Sequence, residues 1–334
     1  MAKSTTLFRH QRKQIKYYAD FQLKWDSLIP SLRRYHLKQV DFLSITGDAP
    51  KDFITDREYR PGHRHRRQRL ESYIAKVGSK FYPIESIIEQ LITRLGQVYG
   101  VNIAESKLRL VAGQVRFMSK YFLNRHTEQL THGAEIFELS IGRENYSELA
   151  DKKQERDYFT FQMTREAIRE AFPGFEESII SRFVEMLAFD ALIGHNDRHP
   201  YNWGVIVPVR KFSSPRFAPV YDTARALFWN VPERRIQQMI TDKKQFENYV
   251  ESCVPPIGWD GEPKVGFFRL MGLIWNGFIQ YRTNIEKFFD EEALKQSYEM
   301  IDREFAFLLS AERRELIKRC LHLRRRRLTE ICII

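Results

Sequence analysis

The most informative part of this 334-residue chain is residues 194–206, which read Gly-His-Asn-Asp-Arg-His-Pro-Tyr-Asn-Trp-Gly-Val-Ile. The apolar residues of the preceding stretch, 177–193, predict a helix that is buried on nearly all sides and ends at Gly194. Residues 194–206 therefore place charged and amide side chains beside a core, which is costly unless partners or ligands satisfy them. Because loops held by rigid elements often carry catalytic groups, this segment predicts a functional site.

Two strand-like segments near this loop, Trp203–Val207 and Phe217–Tyr221, are separated by turn residues. If they pair as an antiparallel hairpin, their outer ends meet, and Asn202 lies roughly 5 Å from Asp222. Asp197 is one loop away. Two oxygen ligands that converge on one point, with a further carboxylate nearby, suit Mg²⁺, which completes its shell with water and substrate phosphates. The spacing therefore predicts a magnesium site at Asn202 and Asp222.

These residues follow the order of parts in protein kinases, in which Asp-x-x-x-x-Asn supplies the base and a metal ligand and a later Asp binds metal. Asp197 and Asn202 are five residues apart, and Asp222 follows 20 residues later. The sequence leaves open whether Arg198, within this loop, binds phosphate or braces a neighbouring carboxylate. The order and spacing predict phosphoryl-transfer chemistry.

The kinase template also requires a strand lysine and a helix glutamate upstream. Lys76 lies in a predicted strand, 72–77, and Glu89 lies on the predicted helix that follows. Glu85 lies one turn earlier on the same helix face, so an ordinary surface charge is an equally good interpretation of Glu89. The sequence thus leaves open whether Lys76 and Glu89 form a pair.

The segments at 194–202 and 218–222 together resemble the HipA-like serine/threonine kinases of bacteria, whose catalytic segment reads like G-N-x-D-x-H-x-x-N and is followed by A-P-x-Y/F-D. The Asp-Arg-His-x-x-Asn core is also similar to that of phosphatidylinositol 3/4-kinases, which share the distant fold. The resemblance is specific over residues 180–228 and looser over 72–123. It implies an α+β, bilobal protein-kinase-like fold with a small β-rich N-lobe and a mainly helical C-lobe.

The resemblance implies a role for each matching residue of the catalytic segment. Asp197 would orient and deprotonate the acceptor hydroxyl, and His199 would support the catalytic loop. Asn202 and Asp222 would hold Mg²⁺ against the phosphates of ATP. The sequence departs from the family at position 195, which is His where the family usually has Asn.

The resemblance also implies a nucleotide site in the first lobe. Lys76 would contact the α- and β-phosphates of ATP, with Glu89 positioning the lysine. Residues 117–123, including Ser119 and Tyr121, would act as the hinge whose backbone meets the adenine. No glycine-rich phosphate loop precedes Lys76, a departure that leaves a nucleotide-binding pseudokinase as an alternative.

Pattern and turn signals divide the chain into three parts. Residues 1–44 are predicted to form an N-terminal helical segment. Residues 45–125 carry strand, helix, strand and strand patterns, as expected for the N-lobe, although 44–70 reads as loop or irregular hairpin. Residues 126–334 are predicted to form the helical C-lobe with the catalytic loop, including a long helix at 286–309.

The composition limits the class of protein. Apolar residues make up 43% of the chain, which is enough to bury a substantial core and excludes global disorder. Three scattered cysteines exclude a disulfide framework or a cysteine-based zinc site. No apolar run reaches the roughly 20 residues of a membrane helix, and the N-terminus lacks the apolar stretch of a secretory signal. We therefore expect a cytoplasmic protein, with export by a signal-independent secretion route left open.

The chain is basic, with 54 Lys and Arg against 43 Asp and Glu and a net charge of +11. Arginines are concentrated in residues 57–69 and in Arg324–Arg327. Such clusters attract phosphate groups, but a solvated basic face is an equally good interpretation. Neither cluster lies in a recognisable nucleic-acid-binding motif, which argues against direct reading of DNA or RNA, although the basic patches leave nucleic-acid binding open.

The leading hypothesis is a Mg-ATP-dependent serine/threonine protein kinase of the HipA-like type, acting as a toxin or effector. It implies ATP and Mg²⁺ as cofactors, a protein substrate and an antitoxin-like regulator as a further partner. A phosphoinositide-type lipid kinase is an alternative, based on Asp-Arg-His-x-x-Asn and the basic surface. A nucleotide-binding pseudokinase or basic binding module that acts through the arginine clusters is another.

Overall fold

The computed structural model describes residues 29–32, 38–39, 51–57, 70–78, 84–111, 114–151, 159–209 and 213–333. The strands are, in chain order, β1 Lys38–Gln39, β2 Lys51–Arg57, β3 Leu70–Val77, β4 Ser106–Val111, β5 Gln114–Lys120, β6 Glu128–His132, β7 Gly204–Pro208 and β8 Arg216–Phe217. The α-helices are α1 Glu85–Val98, α2 Gly133–Ile141, α3 Arg143–Asp151, α4 Phe161–Ala171, α5 Glu176–Ile193, α6 Glu233–Thr241, α7 Lys243–Ser252, α8 Phe267–Gly277, α9 Arg282–Glu286, α10 Glu291–Glu304 and α11 Ala311–Ile333.

The first part of the molecule is a five-stranded antiparallel sheet with the order β1-β2-β3-β5-β4. β3 confirms the predicted strand that carries Lys76. β2 corrects the prediction of loop or irregular hairpin for 44–70, because seven of its residues pair with β3. Charges at both ends of β2 hide the strand pattern, while Phe53 and Ile54 at its centre are buried.

Helix α1 packs on β4 and β5 through the apolar residues that predicted it. Its fully buried residues recur every three or four positions, as an amphipathic helix requires. They are Ile87, Ile88, Leu91, Ile92 and Leu95. The helix ends at Val98, and Gly100 then takes a φ of +61° that favours glycine. This packing places α1 on the same sheet as β3, the strand that carries Lys76.

Helix α5 is the centre of the second, mainly helical part. Every residue from Phe183 to Ile193 is buried, which confirms the prediction of a helix covered on nearly all sides. Gly194 ends it in the left-handed conformation, with φ +72° and ψ 42°. The catalytic segment therefore starts from a rigid, deeply buried support.

A three-stranded antiparallel sheet, β6-β7-β8, lies beside this helix. β7 and β8 confirm the predicted hairpin, although β8 is only two residues long. Beyond β8, Val220 leaves the hairpin and pairs in parallel with Ile103, just after α1. This pairing ties the segment before Asp222 to the first part of the molecule.

The predicted helix at 286–309 is wrong as a single element. A 3-10 turn, Lys287–Phe289, separates α9 from α10. Asp290 then caps α10, since its carboxylate accepts hydrogen bonds from the backbone N–H groups of Glu292 and Ala293. An aspartate at an N-cap competes with helix continuation, and the apolar periodicity alone does not reveal the break.

The arginine run near the C-terminus, Arg324–Arg327, lies within α11, and its side chains contact other residues of the fold. Arg324 is fully buried and donates to the carbonyl oxygens of Ala191 (2.6 Å) and Val250 (2.7 Å), near the C-terminal ends of α5 and α7. A cation there is favourable because it faces the negative ends of two helix dipoles. The next three arginines contact acidic residues: the pairs are Arg325–Glu291, Arg326–Glu330 and Arg327–Glu251. Arg324 and Arg325 are therefore part of the packed structure, whereas Arg326 and Arg327 are partly exposed and paired with carboxylates.

Most of the other arginine cluster, residues 58–69, and most of the predicted N-terminal helical segment lie outside the described residues. Of this segment, Lys38–Gln39 form strand β1 and not the predicted helix, and the N–H of Leu32 donates to the carbonyl of Leu110 at the edge strand β4. Within the described ranges, no helix is both long and apolar enough to cross a membrane.

Candidate active site

Lys76 connects the two parts of the molecule. Its Nζ donates to Oε1 of Glu89 on α1 at 2.8 Å and to Oδ1 of Asp222 at 2.9 Å. The side chains of Lys76 and Glu89 are 12% and 3% exposed, whereas that of Asp222 is 29% exposed. The structure thus brings three predicted residues together. It also decides the question of Glu89, which is a buried partner of the lysine and not a surface charge.

Burial and charge act against each other within this cluster. Burial favours the neutral amine of Lys76, but the carboxylates of Asp222 and Glu89 outweigh it and raise the pKa of the lysine. Lys76 therefore keeps its positive charge. Burial raises the pKa of Glu89 to about 7, against the opposing charge of Lys76. The lysine–glutamate pair is consequently sensitive to pH near neutrality.

The catalytic loop holds Asp197, His199 and Asn202 in fixed relation. Asn202 is buried, and its Nδ2 donates to the carbonyl oxygen of Asp197 at 2.7 Å. The backbone N–H of Tyr201 donates to Nδ1 of His199, which caps the short 3-10 turn Pro200–Asn202. His199 thus contacts the backbone of its own loop, and its part in catalysis stays a prediction.

Arg198 braces the loop. Its Nε and Nη2 form a bidentate pair with the buried carboxylate of Asp190 on α5, at 2.8 and 2.9 Å. Its Nη1 donates to the carbonyl oxygens of Asn202 (2.8 Å) and Tyr221 (2.6 Å). One guanidinium therefore joins the two backbone segments that carry Asn202 and Asp222. This geometry answers the question that the sequence leaves open, because the guanidinium faces a carboxylate and two carbonyls.

His195, where the sequence departs from the family, is fully buried. Burial and the neighbouring charge of Arg198 hold the pKa of this imidazole well below its ordinary value. The ring is therefore neutral, and its Nδ1 lies 3.8 Å from Oδ1 of Asp190. A neutral ring fits a position beside a buried Arg–Asp pair without adding a charge to it.

Asp222 begins a segment with unusual backbone conformations. Its φ is +54°, and Leu227 and Phe228 also have positive φ, at +48° and +63°. In the described part of the chain these are the only non-glycine residues with positive φ. Phe228 is held at both ends, since its N–H donates to the hydroxyl of Tyr249 and its carbonyl accepts from Arg313. The segment from 222 to 228 is thus set in place by buried contacts.

Asp197 faces an arginine that the sequence analysis missed. Oδ2 of Asp197 lies 3.3 Å from Nε of Arg225, whose side chain is 44% exposed. Burial raises the pKa of Asp197 above its ordinary value, while the charge of Arg225 opposes the shift. The only signal in the sequence is that Arg225 follows Asp222 by three residues. The hairpin that brings Asp222 to the loop also brings Arg225 to Asp197.

The predicted hinge is in part a strand. Ser119 lies inside β5, paired with Ile74 and Ser106. The N–H of Tyr121 donates to the carbonyl of Ser72, so that donor is already engaged in the sheet. The ring of Phe122, by contrast, lies 5.9 Å from that of Tyr221, the residue before Asp222.

The donors at Asn202 and Asp222 fit a magnesium ion. The amide of Asn202 uses its nitrogen to bind the carbonyl of Asp197, which leaves its oxygen as a ligand. Asp222 is partly exposed and adds carboxylate oxygens. Within the described ranges, no group of three or more His, Cys, Asp or Glu side chains is placed to hold a metal. Two oxygen ligands suit Mg²⁺ bound together with substrate phosphates.

Comparison with known proteins agrees with this arrangement. A family model described as the HipA-like C-terminal domain matches residues 43–266, which is more than half of the chain. The chain belongs to this HipA-like family. The resemblance seen in the catalytic segment is thereby confirmed. No curated protein matches the chain in a sequence search.

Two solved structures share the fold of this HipA-like chain. The proinflammatory kinase CtkA of Helicobacter pylori is 14% identical, with a TM-score of 0.68, over 91% of this chain and 97% of that one. HipA of Shewanella oneidensis MR-1, solved with HipB and operator DNA, is also 14% identical, with a TM-score of 0.51, over 98% of this chain and 73% of that one. The α+β, bilobal kinase-like fold is therefore established.

Proposed function

We propose that this chain transfers the γ-phosphoryl group of ATP to a serine or threonine hydroxyl of a protein, with Mg²⁺ as cofactor. The observation that carries the proposal is the link from Lys76 to both Glu89 and Asp222, at 2.8 and 2.9 Å. In protein kinases the same three residue types must be in place for transfer. Asp222 is partly exposed, so phosphates and metal can reach it.

Each residue of the site has a part in this reaction. Lys76 would bind the α- and β-phosphates, and Glu89 would hold the lysine in place. Asp197 would orient the acceptor hydroxyl and take its proton; its raised pKa favours that step. Asn202 and Asp222 would hold Mg²⁺, which when bound neutralises phosphate charge. Catalysis would come from positioning and electrostatic stabilisation.

The adenine would meet the chain between the two lobes, for which we propose the limits 45–125 and 126–334. Because the N–H of Tyr121 is bound to Ser72, the carbonyl of Tyr121 and the backbone of Phe122 and Leu123 are the better hinge candidates. Ser119 is a residue of β5, so it would contribute to the nucleotide site only from that strand and not from the hinge.

The test uses purified protein, radiolabelled ATP, Mg²⁺ and dephosphorylated casein as a generic acceptor. We expect label in the chain itself or in casein, and we expect Asp197→Asn to lower the rate by about 10³-fold or more because the base is lost. Asp260→Asn, an exposed aspartate, is the matched control and should label normally. Equal labelling by Asp197→Asn would overturn the proposal, and tight Mg-ATP binding without any transfer would indicate a pseudokinase.

An antitoxin-like regulator and a toxin or effector role belong to the same proposal. They rest on family membership and on HipA of S. oneidensis, which was solved with HipB. The cytoplasm, where ATP and Mg²⁺ are abundant, is the proposed site of action. A phosphoinositide-type lipid kinase stays the alternative, based on Asp-Arg-His-x-x-Asn and the basic surface.

A further inference from the structure

The catalytic segment offers no accessible cation for the transferring phosphoryl group. Residues 194–206 contain no lysine and a single arginine, Arg198. That arginine is 4% exposed and is held by the carboxylate of Asp190 and by two carbonyl oxygens. Lys76 is likewise held by Glu89 and Asp222. Apart from Mg²⁺ held at Asn202 and Asp222, the charge that develops on the γ-phosphoryl oxygens beside Asp197 therefore has no cationic partner within this segment.

Arg225 is the cation that reaches this place. Its Nε lies 3.3 Å from Oδ2 of Asp197, and its side chain is 44% exposed. Among the described residues, no other solvent-accessible lysine or arginine forms an ion pair with Asp197. The side chain thus lies beside the carboxylate of Asp197 and is partly open to solvent.

The backbone of Arg225 is fixed, while the end of its side chain is accessible. Its carbonyl accepts a hydrogen bond from the N–H of Asn196, which joins it to the catalytic loop. Leu227 and Phe228, just beyond it, are fully buried with positive φ. The guanidinium lies 5.5 Å from the ring centre of Trp229, which supports it from the side. A preorganised phosphate ligand requires a fixed backbone and a supported, exposed guanidinium, and Arg225 has both.

We propose that Arg225 is a catalytic residue that binds the γ-phosphoryl group during transfer, as an arginine supplied by the chain itself. This inference rests on the proposed function and adds to it the ligand that neutralises the transition state. In that step the acceptor oxygen forms a bond to the γ-phosphorus, and the bond from this phosphorus to the bridging oxygen breaks. ADP leaves with the electron pair of that bond, and the hydroxyl proton passes to Asp197. The N–H groups of Arg225 would bind phosphoryl oxygens as their negative charge rises.

The test compares the wild-type chain with Arg225→Ala, Arg225→Lys and the control Arg319→Ala. Arg319 is a matched control because it is 47% exposed and its Nε is paired with a carboxylate, that of Glu315. Calorimetry measures the affinity for Mg-ADP and for a non-hydrolysable β,γ-imido analogue of ATP with Mg²⁺. Initial rates of self-labelling and of transfer to dephosphorylated casein give kcat and the KM for ATP.

We expect Arg225→Ala to bind Mg-ADP within about twofold of wild type and to lose about tenfold in affinity for the analogue, since only the analogue has a γ-phosphoryl group. Its kcat should fall by about 10² to 10³-fold, with a smaller change in KM. Arg225→Lys should keep part of the rate because it restores the charge without the planar fork. Added methylguanidinium should rescue Arg225→Ala, and Arg319→Ala should behave as wild type.

Other results would overturn the inference. A higher rate in Arg225→Ala would mean that the arginine inhibits Asp197. An unchanged rate would mean that the arginine has no catalytic role. Equal losses of ADP and analogue affinity would indicate structural damage. A wild-type chain that binds no Mg-ATP, or binds it and transfers nothing, would overturn the proposed function together with this inference. The wild-type measurements thus separate the two failures.

Discussion

Nζ of Lys76 lies 2.9 Å from Oδ1 of Asp222, although 146 residues separate the two in the chain. Glu89 completes the cluster from α1, so that one ammonium group holds two carboxylates. Each carboxylate would repel the other without the lysine between them. The cluster is therefore expected to matter for stability as well as for nucleotide binding, and the two effects can be separated.

Replacing Lys76 by Met should destabilise the fold by roughly 2–4 kcal/mol, because it leaves the buried carboxylate of Glu89 and the partly exposed one of Asp222 without their cation. The double variant Lys76→Met/Glu89→Gln should regain much of that loss, since one of the two negative charges is gone. Neither variant should transfer phosphate. Urea unfolding gives the stability, and labelling from ATP gives the activity.

The control for these variants is Lys243→Met, at an 86% exposed lysine that is paired with Glu247 at the surface. It should cost less than about 1 kcal/mol and leave activity intact, as exposed ion pairs contribute little. If Lys76→Met were as stable as wild type, the cluster would not be the ionised group that its burial and distances indicate.

The raised pKa of Glu89, at about 7, predicts an acid limb in the pH profile of kcat/KM for ATP. Above this pKa the carboxylate is charged and holds Lys76; below it the protonated carboxyl loses its Coulomb attraction for the lysine. The free enzyme should therefore lose activity as the pH falls from about 8 to about 6. Initial rates at subsaturating ATP across this range measure the limb.

The variant Glu89→Gln provides the check on that assignment. It should be less active at pH 8 but should show a flatter profile, because the carboxyl that titrates near pH 7 is gone. An acid limb near pH 7 that persists unchanged in Glu89→Gln would assign it to another group, with Asp197 first to be examined.

Asp222 allows metal binding to be tested without disturbing the backbone. Its φ of +54° is a conformation that Asn also adopts readily, so Asp222→Asn should fold normally. The charge needed for Mg²⁺ is lost, and the gain in ATP affinity on adding Mg²⁺ should largely disappear. Calorimetric titrations of ATP with Mg²⁺ and with EDTA measure this gain. A Mg²⁺ dependence equal to that of wild type would move the metal site elsewhere.

Arg198 offers a test of how the loop is held. Arg198→Lys keeps the charge but cannot form the bidentate pair with Asp190 and also reach the carbonyls of Asn202 and Tyr221. We expect a loss of roughly 3 kcal/mol in stability and weaker Mg-ATP binding. Arg303→Lys, at a 67% exposed arginine, should change neither. Thermal melts and calorimetry are the measurements, and a wild-type melt for Arg198→Lys would contradict the bracing role.

The parts of the site that sequence predicts are those with local patterns. Asn202 and Asp222 flank a short hairpin whose pairing follows from strand patterns, Asp197 lies in the loop before it, and α5 follows from its apolar run. The buried arginines do not follow from any pattern. Arg324, for example, bonds the carbonyl of Ala191, 133 residues away, and a carbonyl partner carries no side-chain signal. Only the tertiary fold turns such an arginine from a surface charge into a buried support.

The start of the catalytic segment depends on Gly194, which has φ +72° and lies against a buried arginine. A Cβ built at this position would be 3.2 Å from Cζ of Arg324 and 3.3 Å from Sγ of Cys253. The guanidinium cannot easily yield, because the carbonyls of Ala191 and Val250 hold it. Gly194→Ala should therefore combine backbone strain with crowding, for a total cost of about 2–3 kcal/mol.

Gly261→Ala is the matched control, because Gly261 also has a positive φ, of +80°, but a Cβ there would meet no atom within 4 Å. It should show the backbone strain alone, about 1 kcal/mol in urea unfolding, and unchanged transfer of phosphate. Gly194→Ala should in addition lower kcat, since moving Arg324 or the end of α5 displaces the loop that carries Asp197. If the two variants lose the same free energy of unfolding, Arg324 moves aside without a measurable loss of stability. The catalytic loop would then not depend on the buried arginine beneath it.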